Sequence, residues 1–297
     1  MLTFNILLCF SDITVRNRVT VFYYNESIVW PNIHTHSPKG CDFMLNYTNT
    51  TKELFESGID TAIISIGATE QFGPYLPMHL DNLIAERYAE VYGRALDAYV
   101  LPTLPFNTSE EHANYKGTVT ISPNLITTMI EEIMTGLMRQ GFKKFVICSG
   151  HGGSYWEGAF IKHINYKYPE IIVIHPHHHH DAWSVAIQAA EFEGLDEMHG
   201  GLLSVCTAMW LCPDKVKLES MGSNIPSENK QYADFMGWDK LTSDGCWGNF
   251  DPELYTPEEL ALKGKIFWST FMERKAEGLK ELLEDAYNRK TQGGKNL

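Results

Sequence analysis

The hydrophobic positions of the chain alternate between two spacings. The run DTAIISIG (60–67) is continuously apolar and ends in glycine, which is typical of a buried strand. Residues 124–140 place apolar side chains on one face of a helix, and Gly141 stops the pattern. Similar patterns predict the remaining elements, which are strands at 98–106, 143–150 and 170–175 and helices at 82–97, 154–168, 201–212 and 256–287.

The alternation of strands and helices with short connections predicts the fold class. It indicates βαβ units, and therefore an α/β fold with a mostly parallel β-sheet flanked by helices. We expect a single domain at 44–290, preceded by an N-terminal extension at 1–43 and followed by a flexible tail at 291–297. The active site is expected at the carboxyl ends of the strands, where ligands bind in such sheets.

Composition and charge argue against several classes of protein. The formal net charge of the 297 residues is −13, which disfavours nucleic acid as a partner, because phosphate binding needs a basic surface. No apolar run approaches the roughly 20 residues that span a bilayer, so no membrane partner is expected. The six cysteines form no CxxC pair, and no basic segment precedes the apolar start MLTFNILLCF. These features favour a cytoplasmic location with free thiols.

Carboxylates and imidazoles follow one predicted strand after another. Because parallel strands end at the same edge of a sheet, these side chains are expected to converge there. Such a cluster is what a hard or borderline divalent ion needs. The candidates are Glu70, His79 and Asp81 after the first strand, Glu111 and His112 after the second, His151 after the third, the histidines of HPHHHHD (175–181) after the fourth, and Glu197 with His199 further along.

Five segments of the chain resemble, in order and spacing, the signature segments of the creatininase family. The first, GATEQFGPYLPMHLD, contains Glu70 and Asp81 at a separation of eleven residues. The others are NTSEEHANYKGTVTIS (107–122), SGHGGS (149–154), DEMHGG (196–201) and GCWGNFDPELYTPEELALKGK (245–265).

This resemblance implies an α/β fold, a homo-oligomer in the form of a hexamer, and a metal-dependent hydrolase that opens amide bonds in small substrates. Glu70, Asp81 and His151 would hold one divalent ion, with Asp81 as the bridging ligand. The ion would be Zn, Mn or Fe, at one or two per chain. His199 would shuttle the proton, and Glu197 is the second residue to which we assign a catalytic role.

Three positions depart from the family pattern. Phe72 replaces a histidine that serves the second metal, Gly153 replaces a glutamate of creatininase itself, and Ser204 replaces a glutamate that follows the shuttle histidine. Because phenylalanine cannot coordinate, three interpretations stay open. The chain is a mononuclear hydrolase, or a binuclear one whose missing ligand comes from His79 or from residues 177–180, or a non-catalytic relative that binds a small molecule or only assembles.

The sequence also leaves two classes of substrate possible. The first expectation is hydrolysis of a C–N bond in a small cyclic amide. The alternative is ring opening of an oxidised cyclitol or sugar at a C–C or lactone bond. Some relatives in the family resemble hydrolases of such substrates. Aromatic side chains could form a wall against either ring, and histidines could bind hydroxyl groups. The candidate substrate-binding residues are Glu111, His112, Tyr155, Trp156, His178 and Trp183, with Trp247 as a further aromatic candidate.

Overall fold

The computed structural model describes residues 44–218, 225–248 and 251–292, so the predicted extension at 1–43 and residues 293–297 of the predicted tail lie outside the described residues. The strands of the described part are β1 (Thr61–Ile66), β2 (Tyr99–Val100), β3 (Lys144–Ser149), β4 (Ile172–Ile174), β5 (Glu197–His199) and β6 (Trp247–Gly248). Its α-helices are α1 (Thr51–Ser57), α2 (Leu80–Leu96), α3 (Pro123–Met138), α4 (Glu157–Lys167), α5 (Ala182–Ala189), α6 (Leu202–Leu211), α7 (Pro257–Ala276) and α8 (Leu279–Gln292).

Four of these strands form a parallel sheet with the order β2–β1–β3–β4. The register places Ile63 of β1 beside Val100 of β2 and Val146 of β3. Every residue of β1 is buried, as expected for a strand that is covered on both faces. Successive side chains point to opposite faces, so Ile63 and Ile64 belong to two different hydrophobic cores.

Helices cover both faces of the sheet. The core that contains Ile63 also contains Tyr88 of α2 and Phe267 of α7. The core on the other face contains Ile126 of α3 and Phe160 of α4. The predicted α/β class, with a mostly parallel sheet flanked by helices, is therefore confirmed. The remaining strands, β5 and β6, pair antiparallel in a separate two-stranded ribbon.

The second predicted strand is much shorter than the apolar run 98–106 indicated. Only two residues form β2. Pro102 and Pro105 interrupt the run, because proline has no N–H to donate to a neighbouring strand. Pairing resumes beyond β2 as a single parallel bridge between Ile66 and Leu104.

The helix predicted at 256–287 is two helices. Gly278 takes a left-handed conformation with φ +65, which ends α7 and redirects the chain into α8. Helices α1 and α5 were not predicted, because with seven and eight residues both are too short to show a clear helical period. Among the described residues, none of the helices combines the length and the apolar character that a membrane crossing requires.

Two glycines bring the first turn of α2 against the ends of β1 and β3. A Cβ atom at Gly67 would lie 2.5 Å from the Cα of Asn82, and one at Gly150 would lie 2.2 Å from the carbonyl oxygen of Asp81. Both contacts are with backbone, which cannot turn aside as a side chain can. This close approach brings Asp81 to the ends of the two central strands.

The substitution Gly150→Ala is expected to destabilise the fold, because its methyl group would overlap the backbone of α2. We expect a loss of about 3 kcal/mol or more in the free energy of unfolding, measured by urea denaturation. Gly136→Ala is the matched control, because a Cβ there meets no atom within 4 Å inside α3. That change should stabilise the protein by about 1 kcal/mol through helix propensity. Equal stability of the two variants would contradict the close-approach argument.

Candidate metal centre

Glu70, Asp81 and His151 meet at the carboxyl ends of β1 and β3. Glu70 follows β1, Asp81 lies in the first turn of α2, and His151 follows β3. The His151 Nδ1 atom lies 3.2 Å from Glu70 Oε1 and 3.3 Å from Asp81 Oδ2. All three residues are more than nine-tenths buried. The structure thus brings together the three residues that the resemblance assigned to one ion.

Three carboxylate oxygens of this cluster accept no hydrogen bond from any described residue. They are both oxygens of Glu70 and Oδ2 of Asp81. Burial of a charged oxygen without a partner is strongly unfavourable, and two adjacent carboxylates also repel each other. A divalent cation would relieve both effects, and a set of two carboxylates and one imidazole is suited to Zn or Mn. The residues therefore fit a divalent metal ion.

The orientation of His151 leaves its Nδ1 atom free for an ion. Its Nε2–H donates to the carbonyl oxygen of Thr108 at 2.7 Å, so the lone pair of the neutral ring is on Nδ1. The Thr108 hydroxyl donates to the carbonyl oxygen of Gly153 at 2.9 Å. Ser149 Oγ accepts a hydrogen bond from the backbone N–H of His151 at 3.0 Å. These contacts fix the histidine between the loops that follow β2 and β3, as is usual for a metal-binding histidine.

Burial and the closeness of the charged groups shift the pKa values of the cluster residues. Burial opposes ionisation of Glu70, but the imidazoles of His151, His199 and His112 outweigh it and hold the pKa of Glu70 well below its usual range. Burial and the charge of Glu70 raise the pKa of Asp81 to about 7. The pKa of His151 is raised well above its usual value, because Glu70 and Asp81 outweigh the effect of burial. Protons on His151 and Asp81 therefore compete with a cation for the same lone pairs.

His199 lies in a stack of three rings above Glu70. Its ring centroid is 4.0 Å from that of Phe72 on one side and 4.2 Å from that of His112 on the other. Trp238 closes the group with its edge, at 4.7 Å from the centroid of His112. Phe72, the residue that departs from the family pattern, therefore packs against the ring that the resemblance assigned to proton transfer.

One nitrogen of His199 faces the carboxylate cluster. The Nε2–H donates a short hydrogen bond to the carbonyl oxygen of Gln71, so the lone pair of the neutral ring is on Nδ1. That Nδ1 lies 3.8 Å from Glu70 Oε1. Burial lowers the pKa of His199, which favours the neutral ring. His199 is thus oriented as a base towards the cluster.

The side chain of Gln71 defines the tautomer of His112. The Gln71 Oε1 atom accepts from the backbone N–H of Gly73 at 2.7 Å, and its Nε2 donates to the carbonyl oxygen of Gly245 at 3.0 Å. The same Nε2 donates to His112 Nδ1 at 2.8 Å. Burial lowers the pKa of His112 to about 2, so the neutral ring carries its proton on Nε2, 3.9 Å from Glu70 Oε1. In this arrangement His112 presents a hydrogen-bond donor towards Glu70, and with Glu70 and His199 it also forms a buried group of ligand-type side chains.

Glu111 occupies the space that a side chain at position 153 would need. A Cβ at Gly153 would lie 2.4 Å from Glu111 Oε1 and 2.4 Å from His151 Nε2. One Glu111 oxygen lies within 4.8 Å of potential ligand atoms of Glu70 and His151. The carboxylate that the resemblance expects at position 153 is thus replaced in space by one from the loop after β2.

Glu197, predicted as a catalytic residue, caps the start of α6 with its carboxylate. Its Oε1 accepts from the backbone N–H groups of Gly201 and Ser204 and from the Ser204 hydroxyl, at 2.8, 2.9 and 2.5 Å. Its Oε2 accepts from the backbone N–H of Leu203 at 2.6 Å. These are the unpaired donors of the first turn of α6. Glu197 and Ser204 together hold the segment that carries His199.

Three predicted site residues lie away from the carboxylates. His79 directly precedes α2, and it belongs to none of the ligand-like groups of the described residues. His178 Nε2–H donates to the carbonyl oxygen of Glu277 at 2.8 Å. Trp183 packs edge-on against Phe267 of α7, with ring centroids 5.0 Å apart. Packing between helices thus accounts for Trp183, and capping of the α7 end accounts for His178.

The other aromatic candidates divide between packing and the surface. Trp156 is buried, and its Nε1–H donates to Asn107 Oδ1 at 3.0 Å. Tyr155 is 82% exposed at the rim of the loop that carries His151. Trp247 packs against Trp238, with ring centroids 5.8 Å apart.

Sequence reasoning missed three residues that orient the site, namely Gln71, Thr108 and Trp238. Gln71 stands between Glu70 and Phe72, so its position was a usable signal. Thr108 acts mainly through its backbone carbonyl, which no residue type reveals. Trp238 lies in a polar stretch far along the chain, where no pattern connects it to the two histidines.

Fold and site together define a class of protein: an α/β domain with a buried carboxylate–histidine centre, suited to a divalent ion, at the ends of its parallel strands. Residues 46–278 match the family model Creatininase, described as creatinine amidohydrolase. Because this match covers most of the chain, the protein belongs to the creatininase family.

Curated relatives match parts of the chain. A Mycolicibacterium smegmatis protein named mycofactocin precursor peptide peptidase is 33% identical over 116 residues, which are 36% of this chain and 45% of that protein. The creatinine amidohydrolase of Pseudomonas putida is 23% identical over 185 residues, 57% of this chain and 71% of that protein. The 3-dehydro-scyllo-inosose hydrolase of Thermotoga maritima is 27% identical over 108 residues, 35% of each chain. The chain thus spans about half the length of the first relatives that it matches.

Solved structures share the fold. A Bacteroides fragilis protein has a TM-score of 0.64 at 23% identity, covering 81% of this chain and 97% of its own. A creatininase variant complexed with creatine has a TM-score of 0.63 at 18% identity, covering 81% and 99%. A manganese form of creatininase has a TM-score of 0.62 at 17% identity, with the same coverage, and a Zn–Zn form is also among the similar structures.

The affinity of the centre for Zn²⁺ is expected to fall as the pH falls. Below a pH of about 7 Asp81 takes up a proton that the ion must displace, in addition to the proton on His151. Each displaced proton weakens binding by about tenfold per pH unit. Titration of Zn²⁺ against a competing chelator at pH 6, 7 and 8 measures this slope. An affinity that stays constant over this range would contradict the proposed competition.

The substitution Glu197→Gln should destabilise the protein, because its amide NH2 would face a backbone N–H donor of α6. We expect a loss of about 1–3 kcal/mol in the free energy of unfolding. The matched control is Glu193→Gln, four residues earlier on the exposed surface, which should change little. Chemical denaturation of both variants tests the capping role. An unchanged stability of Glu197→Gln would show that the cap contributes little.

Proposed function

We propose that the protein is a divalent-metal-dependent hydrolase that cleaves a C–N bond of a small cyclic amide. The observation that carries the proposal is the set of three unpartnered carboxylate oxygens around His151 Nδ1. An ion held by Glu70, Asp81 and His151 would polarise the substrate carbonyl and lower the pKa of a water molecule. The names of two relatives, a peptidase and an amidohydrolase, support an amide as the target. The Zn–Zn and manganese forms of creatininase support the choice of ion.

His199 is the proposed proton carrier. Its Nδ1 faces the cluster with a free lone pair, because its Nε2–H is committed to the carbonyl oxygen of Gln71. Since burial keeps the ring neutral, it can take a proton from water and deliver it to the leaving nitrogen. His112, with its proton on Nε2, is proposed to donate a hydrogen bond to the substrate, which agrees with its predicted binding role.

We propose a mononuclear centre in preference to a binuclear one. Phe72 cannot coordinate, and it is committed to the stack with His199. His79 belongs to none of the ligand-like groups of the described residues, so we do not assign the missing ligand to it. Glu111, whose carboxylate lies in the space above Gly153, keeps its predicted role in substrate binding. Three protein ligands and an open position are the usual arrangement of a catalytic ion.

A second candidate function is ring opening of an oxidised cyclitol. The likeness to the 3-dehydro-scyllo-inosose hydrolase favours it. The same base and the same carbonyl-polarising centre would serve a ring ketone as they serve a lactam. A non-catalytic binding role is supported less well, because it gives no reason for the oriented lone pair of His199.

The proposal keeps the remaining expectations from the sequence: a catalytic domain at 44–290, a cytoplasmic location and a homo-hexamer. Four cysteines are free and buried, namely Cys148, Cys206, Cys212 and Cys246, which agrees with a reducing compartment. Tyr155, exposed beside the His151 loop, remains the aromatic residue best placed to meet a substrate from solvent.

The proposal predicts that metal and activity are lost together. By elemental analysis, we expect Asp81→Asn and His151→Ala to hold one Zn, Mn or Fe per chain fewer than the unaltered protein, and their turnover to fall by about a thousandfold or more. His163→Ala is the matched control, since this histidine is exposed on α4, and it should retain both metal and turnover. The assay offers cyclic amides and oxidised cyclitols in parallel. Protein that holds no ion, and gains no turnover on either class with any divalent ion, would refute the proposal.

A further inference from the structure

A second group of ligand-type side chains lies at the ends of β3 and β4. Glu157 begins α4, and His175 and His177 follow β4. A carboxylate oxygen of Glu157 and one nitrogen of each imidazole all lie within 4.8 Å of one another. This group has no residue in common with Glu70, Asp81 and His151.

Two polar atoms of this group are buried without a hydrogen-bond partner among the described residues. They are Glu157 Oε1 and His175 Nδ1. Glu157 is 8% exposed, so its carboxylate has little access to water. The other carboxylate oxygen, Oε2, lies 3.8 Å from His175 Nδ1. That distance is too long for a hydrogen bond but leaves room for an ion that contacts both atoms.

The backbone turns tightly to place the two histidines together. The N–H of His177 donates to the carbonyl oxygen of His175 at 2.8 Å, and the two ring centroids lie 4.0 Å apart. One nitrogen of each ring therefore lies within reach of a shared ion.

The group lies in a cavity of about 280 Å³. His151 and Gly152 line one part of its wall, and Phe271 and Lys275 of α7 line another. The Lys275 Nζ atom lies over the ring of Phe271, 5.6 Å from its centroid, and no described ion pair joins it to Glu157. The carboxylate is thus left for another cation, and the exposed His177 gives that cation a route from solvent.

We propose that Glu157, His175 and His177 bind a divalent transition-metal ion, with Zn²⁺ as the probe, at a site separate from the Glu70–Asp81–His151 centre. Two imidazoles and one carboxylate with open positions suit Zn²⁺, Co²⁺ or Fe²⁺. Mg²⁺ and Ca²⁺ prefer oxygen ligands and should bind poorly here. The site does not depend on the proposed function, since it shares a cavity wall with that centre but no ligand.

The test uses untagged full-length protein, stripped with a chelator and titrated with Zn²⁺. In the Asp81→Asn variant, which disables the first centre, we expect one Zn²⁺ per chain to remain. Adding Glu157→Gln or His177→Ala should weaken that binding by about tenfold or more. Glu157→Gln keeps the side-chain shape and His177 is exposed, so the two variants reach the same result by independent routes. Circular dichroism checks that each variant is folded.

His180→Ala is the matched control, because it removes an exposed histidine of the same run outside the group. Retention of the ion in this variant supports the site. Equal loss in His180→Ala would indicate an adventitious ion only, and would overturn the proposal. Absence of bound Zn²⁺ in Asp81→Asn would also overturn it, without affecting the proposed function. Loss of an ion in His177→Ala, with no ion lost in Asp81→Asn, would instead support this site and count against the first centre.

Discussion

The burial of two carboxylates at the ends of neighbouring strands is the constraint on which the rest of the structure depends. Glu70 and Asp81 lie in a region with almost no access to water, and both oxygens of Glu70 and Oδ2 of Asp81 accept no hydrogen bond from the described residues. Such an arrangement is unfavourable unless positive charge is close. The imidazole of His151 supplies positive charge when it is protonated, which its raised pKa favours. A divalent ion would supply more. The fold must therefore keep His151 in place even though its neighbours repel each other.

Several parts of the fold serve that requirement. Glycines at the ends of β1 and β3 let the first turn of α2 approach closely enough to deliver Asp81. Hydrogen bonds from the loops after β2 and β3 hold His151 with one defined nitrogen towards the carboxylates. The cap that Glu197 forms on α6 steadies the short strand that carries His199. Each of these contacts positions a residue of the centre without belonging to it. The residues that hold the centre in place are therefore more numerous than those that would touch an ion.

The sequence predicted the features that repeat along the chain and missed those that depend on distance in space. Apolar periodicity located the central strands and most helices, because burial on a sheet face leaves a regular signal. Glu70, Asp81 and His151 followed from their positions after strands and from ordered motifs. The capping contacts of Glu197 were missed, since a carboxylate two residues before a catalytic-type histidine looks the same whether it caps a helix or moves a proton. The overlap of Glu111 with the space above Gly153 joins two loops, so no local pattern could reveal it. The contacts of His178 with Glu277 and of Trp183 with Phe267 were missed as well, because both partners lie far along the sequence, in or next to α7.

The segment Glu70–Gln71–Phe72 has a mechanical consequence. Its first residue is a proposed ligand, the carbonyl of its second holds His199, the side chain of that second residue holds His112, and its third supports the face of His199. A small shift of this segment would therefore carry the ligand and both imidazoles along as one body. The spacing between His199 and the carboxylate of Glu70 is then set mainly by three consecutive residues of one segment.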